Sequence, residues 1–399
     1  MPTRRPKPRR KPLPKVLVVG FANGGTGLSR VVETLVNSLV PAHAVQVPGI
    51  DGVPGHPAAP GVRLHANPHV WDHVAGVEMG RLIEAEGIDI VLINHDFFRL
   101  PRYLYFLESS RRRPRIVYYC TVPGRLLVPD WAQDLARVDA LVVPTQFAQA
   151  QYAAACQQLG RPDLRAKLAV IPHCVENAAF YELDQAAARA QLLPGHRRDP
   201  EEFLVLNANC FQERKEMGLT LAGFRLFAQG KHPAVKLWLH TNQRCGNENI
   251  LALVHQHGLR GRVQLTTDKV STATLNLIYN ACDVGLNTAN AEGWGLLAFE
   301  HAAAHKAQVL PAHGVLAELW QNHATLLEID HERTANGYFA EALTTPEAVA
   351  AGLETLYRNP AHREVMAGRA RRNAASPAYA FAAVSRQWQA LFSRIGAAL

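Results

Sequence analysis

Short β-branched runs alternating with helix-periodic stretches constrain this chain more than any other feature. Lys15-Val-Leu-Val-Val-Gly20 reads as a buried strand that ends in a glycine-rich turn. Residues 28–39 then place Val31, Val32, Leu35, Val36 and Leu39 at spacings of three and four, which is one face of a helix. Ile88–Ile93, Arg115–Tyr119 and Ala140–Val143 read as further strands, the last preceded by a helix over about Asp130–Val138. A second series opens with Phe203–Asn207 and a helix across Leu219–Gln229. It continues with strands at Val235–His240, Val263–Thr266, Val284–Asn287 and near Gln308–Leu310. Strands separated by helices pair in parallel, because each crossover returns the chain to the same end of the sheet. The expected fold is α/β: two Rossmann-like domains facing across a cleft, with strand ends at that cleft as the ligand site.

This pattern divides the chain into a tail at 1–14, an N-terminal domain at 15–175 and a linker region at 176–200. A C-terminal domain at 201–378 and a closing segment at 379–399 complete it. In the closing segment, Phe381, Val384, Trp388, Leu391, Phe392 and Ile395 form one stripe of a helix over about 379–395. The polar run Pro194–Pro200 suits a linker.

Charge is concentrated at the start. Residues 1–15 hold seven of the 42 basic residues and no acid, while the other 384 residues carry 35 basic against 34 acidic. A proline-rich basic segment with few apolar groups cannot bury enough surface to offset its ordering entropy, so it reads as a disordered arm. Such an arm either solubilises the chain or attracts the phosphates of nucleic acid or an anionic membrane. No apolar run reaches the roughly 18 residues of a membrane-spanning helix, and the basic start lacks the apolar core of a secretory signal. The expected location is the cytoplasm, with peripheral attachment to a membrane as an option. The six cysteines are spaced at least 18 residues apart, which excludes a CxxC pair or zinc-knuckle spacing, and no metal site is expected.

Three segments carry chemistry. Gly20-Phe-Ala-Asn-Gly-Gly-Thr-Gly27 joins a strand to a helix, where amide groups can face an anion. It lacks the lysine of a nucleotide-hydrolase loop, and Arg30 stands where a dinucleotide fingerprint needs glycine or alanine. Asn207-Ala-Asn-Cys-Phe-Gln-Glu-Arg-Lys215 puts Arg214 and Lys215 after a strand, where fixed positive charge can balance a leaving diphosphate. Ala291-Glu-Gly-Trp-Gly-Leu-Leu-Ala-Phe-Glu300 places Glu292 in a glycine turn and Glu300 in the helix that follows. Seven residues separate these carboxylates, so both can accept hydrogen bonds from the hydroxyls of one ligand. An acid among Leu296, Leu297, Ala298 and Phe299 is costly unless it is paired or liganded.

These segments resemble the GT-B glycosyltransferases and, within them, glycosyltransferase family 4. Glu292 to Glu300, EGWGLLAFEHAA, is similar to that family's EGFGLPxxEAMA. Val170-Ile-Pro-His-Cys-Val-Glu176 with Phe180 resembles its VIPNGVD…F stretch. Ala136–Phe147 resembles aDxvvvpSxF, and Asn276–Val284 resembles lYxxaDv. The closing helix with Trp388 is similar to the one that crosses back to the N-terminal domain in that family.

The resemblance implies retaining transfer from a nucleotide sugar, UDP- or GDP-linked, with no cofactor or metal required. By this resemblance Glu292 contacts the donor sugar and Glu300 the ribose, while Gly293, Trp294, Gly295 and Leu296 contribute backbone amides. Lys215 binds the diphosphate, and Gly24 and Gly25 belong to the loop that closes over the phosphates and acceptor.

Two positions depart from the family. Asn209 is neutral where an arginine often stands, leaving Arg214 to supply the charge. Cys120 occupies a place where members often show a histidine, and His95, at another strand end, is the candidate to take over a catalytic role.

The acceptor stays open among a glycan, a lipid carrier, a protein and a modified nucleobase. The alternative reading is a nucleic-acid- or anionic-membrane-binding protein with a degenerate transferase fold, tethered by residues 1–15.

Overall fold

The computed structural model describes residues 14–21, 27–40, 43–48, 62–69, 72–175, 178–193, 199–334 and 337–397. The basic tail through position 13, the loop at 22–26 and most of the linker around Pro194–Pro200 lie outside the described residues.

The strands of the first half are β1 (Lys15–Val19), β2 (Ala44–Pro48), β3 (Val62–His65), β4 (Ile90–Asn94), β5 (Arg115–Tyr119), β6 (Arg125–Leu126), β7 (Ala140–Val143) and β8 (Leu168–Val170). Those of the second half are β9 (Phe203–Asn207), β10 (Val235–His240), β11 (Arg244–Cys245), β12 (Glu248–Asn249) and β13 (Val263–Thr266). They continue with β14 (Val284–Leu286), β15 (Ala307–Pro311), β16 (Thr325–Leu327), β17 (His331–Thr334) and β18 (Phe339–Leu343).

Among the described residues, one sheet runs β3-β2-β1-β4-β5-β7-β8 and a second runs β13-β10-β9-β14-β15-β16. The pairs β1–β2, β1–β4, β4–β5, β9–β10 and β9–β14 are all parallel. Val16–Val19 and Ile90–Ile93 are fully buried, and β9 and β15 are buried along their length. A strand covered on both faces has no polar side to preserve, which is why these segments read as unbroken apolar runs.

Both sheets reverse their order beside their first strand. In the first, β2 and β3 extend to one side of β1 while β4 and β5 extend to the other. In the second, β10 and β13 extend to one side of β9 and β14, β15 and β16 to the other. Crossovers on opposite sides leave a crevice at the carboxyl ends of the central pair, where ligands bind in open α/β sheets.

The chain forms two compact units. One contains the described residues through Tyr119 with Asp134–Leu141 and the chain from Ser385; the other contains Cys120–Gln133 and Val142–Val384. The closing helix (Phe381–Gly396), which belongs to the first unit from Ser385 onward, sets Trp388 edge-on to Tyr119 at 5.0 Å and Phe392 against His43 at 5.5 Å. Gln389 there donates to the Ser38 carbonyl at 3.1 Å. Val384, Trp388, Leu391, Phe392 and Ile395 are buried as a stripe, whereas Phe381 is 44% exposed, so the apolar face begins at Val384.

Several elements differ from expectation. The helix expected before β7 is present, over Pro129–Arg137, and is of the 3₁₀ type. β3, β8 and β16 escape a periodicity reading because they are three or four residues long, and β2 because Gln46 interrupts its apolar run. Val170 closes β8, and the Ile171 amide still bonds to the Val143 carbonyl, so the Val170–Glu176 stretch begins as sheet. A small antiparallel sheet, β17-β18-β6, was also not expected. No helix among the described residues is long and apolar enough to cross a membrane.

Candidate active site

In the second unit, two loops leave the carboxyl ends of β9 and β14, the pair at the switch point. The first makes a 3₁₀ turn, Glu213–Lys215, that buries Lys215. The second runs from Asn287 through the turn at Gly295 into the helix Leu296–Ala303.

Main-chain and side-chain bonds stitch the loops together. The Thr288 hydroxyl lies 3.2 Å from the carbonyls of both Lys215 and Glu216, and the Asn290 amide donates to the Arg214 carbonyl at 3.0 Å. Arg214 in turn donates from Nη1 to the Ala291 carbonyl at 2.9 Å.

The stitching brings Lys215 and Glu292 together although 77 positions separate them. The Lys215 ammonium donates directly to Glu292 Oε2, and Arg214 Nη1 lies 3.9 Å from Oε1. Burial pushes the Glu292 carboxyl up, but Lys215, Arg214 and the hydrogen bond outweigh it and hold the group at about 2. Burial pulls the Lys215 ammonium below its ordinary value, with Glu292 opposing. Glu292 is therefore an ionised acceptor at neutral pH.

Glycines shape the turn. A Cβ on Gly293 would stand 2.5 Å from Thr121 Cβ, so the backbone here can only approach that residue closely without a side chain. The Glu292 amide donates to the carbonyl of Pro123, two residues after Thr121, at 3.1 Å. Gly295 has φ 85°, a left-handed conformation that starts the helix without a side-chain cap. No side chain caps the first amides of that helix, and the third of them, of Ala298, bonds to the Gly295 carbonyl at 3.0 Å.

Glu300 is buried one turn into the helix. Its Oε2 accepts from the Tyr279 hydroxyl at 2.7 Å. The Tyr279 carbonyl receives His301 Nε2 at 3.0 Å, and the two rings stack at 5.2 Å. Because a carbonyl only accepts, His301 carries its proton on Nε2, and burial pushes its pKa down to about 3.

The Trp294 ring is buried. It stacks on Phe299 at 5.4 Å and meets Tyr379 and His173 at 5.3 Å. Leu296 is half-buried at the helix start. Asn209, the neutral departure, is buried; its Nδ2 donates to Asn207 Oδ1 at 2.9 Å, while its own Oδ1 has no hydrogen-bond partner. His313, at the end of β15, donates from Nε2 to the Ala289 carbonyl at 2.8 Å and interacts electrostatically with Glu292.

In the first unit, the sheet's switch point lies between β1 and β4. Gly24 and Gly25, in the loop after β1, lie outside the described residues. His95 follows β4, is buried, and contacts the rings of Phe21 at 5.4 Å and Tyr103 at 6.0 Å. Its Nδ1 accepts from the Asp96 amide at 2.7 Å, and burial lowers its pKa. A neutral ring whose Nδ1 accepts holds its proton on Nε2 and can donate from there. Cys120, in the second unit, is buried, with its amide bonded to the Val142 carbonyl at 3.1 Å.

Sequence reasoning missed Tyr279, His313 and Thr121. Tyr279 was within reach, since it lies inside the Asn276–Val284 segment; the other two act through contacts made only on folding. Among the described residues, no group of three or more histidine, cysteine or acidic side chains could hold a metal ion.

Two parallel sheets of this order define the GT-B fold of glycosyltransferases. Residues 189–373, which include both glutamates and Lys215, match a family model described as glycosyl transferases group 1. The structure is similar to sucrose-phosphate synthase from Thermosynechococcus elongatus, with a TM-score of 0.74 and 17% identity over 97% of this chain and 100% of that one. It is also similar to α,α-trehalose 6-phosphate synthase from Burkholderia multivorans, with a TM-score of 0.69 and 14% identity over 97% and 99%. HepE from Anabaena, solved in complex with UDP, aligns with a TM-score of 0.66 and 15% identity over 95% and 100%. No curated protein matches the chain.

Proposed function

We propose that the protein is a retaining glycosyltransferase that moves a sugar from a UDP- or GDP-linked donor to an acceptor, without a required metal. One observation carries this reading: Lys215 and Glu292 meet on loops from the two strands at the second sheet's switch point, with Glu300 on the helix that follows. The group 1 match over this half and the UDP bound to the similar Anabaena protein support a nucleotide-sugar donor.

In this reading Lys215 and Arg214 bind the diphosphate, aided by amides of Gly293, Trp294, Gly295 and Leu296 at the helix start. Ionised Glu292 accepts hydrogen bonds from the donor sugar's hydroxyls. Glu300, oriented by Tyr279, takes the ribose. As the glycosidic bond breaks, negative charge grows on the leaving diphosphate, and positive charge fixed beforehand stabilises it. Retention follows a front-face path in which the leaving phosphate oxygen takes the acceptor's proton. His95, with its proton on Nε2, serves as a hydrogen-bond donor to a reactant and not as a base. Gly24 and Gly25 belong to the loop that covers the phosphates and acceptor. The basic tail at 1–15 is proposed as a tether to anionic surfaces.

A thermal-shift screen against nucleotides and nucleotide sugars tests the class, since a ligand that binds only the folded state raises its stability. A base-specific shift that Glu300→Ala weakens is expected. No shift with any of them would sink the assignment and favour a binding protein tethered by its tail.

A further inference from the structure

Behind the proposed donor loops lies a closed ring of four polar side chains. Arg333 on β17 stands opposite Glu341 on β18. Its Nε donates to Glu341 Oε2 at 2.9 Å and its Nη2 to Glu216 Oε1 at 2.7 Å. Asn290 Nδ2 donates to the same two oxygens, at 3.0 Å to Glu216 and 2.9 Å to Glu341. The Ala342 amide adds a bond to the Asn290 carbonyl at 2.9 Å.

Glu216 directly follows Lys215, and Asn290 lies two residues before Glu292. The ring therefore grips the neighbours of both members of the Lys215–Glu292 pair. Two of its features have a cost. Glu216 sits at φ 47°, a left-handed conformation that glycine adopts freely and glutamate does not. Asn290 is buried with its Oδ1 unpartnered, because turning the amide over would aim that oxygen at two carboxylates. Both costs are incurred by residues that place a polar atom in the ring.

We infer that Arg333 is a positioning residue for the donor site: through Glu216, Glu341 and Asn290 it holds the Lys215 and Glu292 loops in the register that binds the diphosphate sugar. This rests on the reading of those loops as the donor site. A guanidinium suits the task because its planar fork reaches two carboxylates at once, which a lysine's point charge cannot reproduce.

The test is calorimetric binding of UDP-glucose and GDP-mannose to the full chain and to four variants, each with its ligand-free melting temperature. Arg333→Met should weaken binding of the preferred probe at least tenfold, and Arg333→Lys should recover part of the loss. Glu216→Gly relieves the left-handed strain, so its melting temperature should hold or rise while binding still falls severalfold. Arg125→Met removes the exposed Arg125–Glu332 pair on the same small sheet and should bind within twofold of wild type.

Binding within twofold of wild type for both Arg333→Met and Glu216→Gly would overturn the inference. So would an Arg125→Met loss equal to that of Arg333→Met, since the small sheet's integrity would then be the cause. If the wild-type chain binds neither probe nor any other nucleotide sugar, the donor-site reading itself fails, and this inference with it.

Discussion

Tyr279 holds Glu300 by a buried hydrogen bond of 2.7 Å, and its carbonyl fixes the adjacent His301. One residue thus orients the carboxylate proposed for the ribose from outside the helix that carries it. Tyr279→Phe keeps the packing and removes only the bond. A bond to a charged group contributes about 1.5–3 kcal/mol, so donor affinity should fall roughly tenfold or more. Titration calorimetry reads this directly, and unchanged affinity would mean that Glu300 is oriented by other means.

The buried Lys215–Glu292 pair makes a sharper stability prediction. Lys215→Met strands a carboxylate among buried neighbours, and breaking such a pair costs about 3–5 kcal/mol, here eased by Arg214. Adding Glu292→Gln removes the stranded charge, so the double variant should be more stable than Lys215→Met alone. Urea unfolding of the three proteins measures it, and simple additivity would contradict the coupling.

That pair also sets an acid limit. Glu292 titrates at about 2 in the folded chain, below the ordinary value of 4.5. The unfolded chain therefore binds the proton first as pH falls. The pair's stabilisation is present above about 4.5 and is lost as pH falls towards 2. Glu292→Gln should flatten the stability profile in that window and nowhere else, as judged from melting temperatures across the range.

His301 acts at milder pH. Burial holds its pKa at about 3 against the ordinary 6.5. Folding therefore excludes a proton that the unfolded chain accepts below 6.5. Its stabilisation is complete above 6.5 and declines as pH falls towards 3, by about 2 kcal/mol at pH 5. His301→Gln keeps an amide donor for the Tyr279 carbonyl and has no proton to gain. It should lose less stability than wild type between pH 7.5 and pH 5; an identical decline in both would count against the assignment.

Gly293 tests the close approach to Thr121. Gly293→Ala forces a Cβ to 2.5 Å from Thr121 Cβ. Overpacking of this kind costs about 1–3 kcal/mol, and the displaced turn should also bind donor more weakly. A melting temperature and a donor affinity equal to those of wild type would show that the Thr121–Pro123 segment yields freely.

The apolar runs at β1, β4, β9 and β14 were legible because strands buried on both faces need continuous hydrophobic sequence. Glu300 was legible as an acid in an apolar helix, a placement that requires a partner. Its partner Tyr279 was not, because a hydrogen bond between positions 279 and 300 depends on how two helices pack. The β17–β18 hairpin gave no clear alternation, since β17 is largely exposed and carries His331, Glu332 and Arg333.

By itself the sequence determined the alternation of strand and helix, and hence two parallel sheets. It also determined which loops hold glycines, cations and carboxylates. Those are local matters of side-chain shape, polarity and spacing. Only the tertiary structure decided that Lys215 neutralises Glu292, that Trp294 turns into the core, and that Arg333 reaches Glu216. Each joins positions that are far apart in the chain or open to several rotamers, and burial in a low-dielectric interior selects the one arrangement in which the charges find partners.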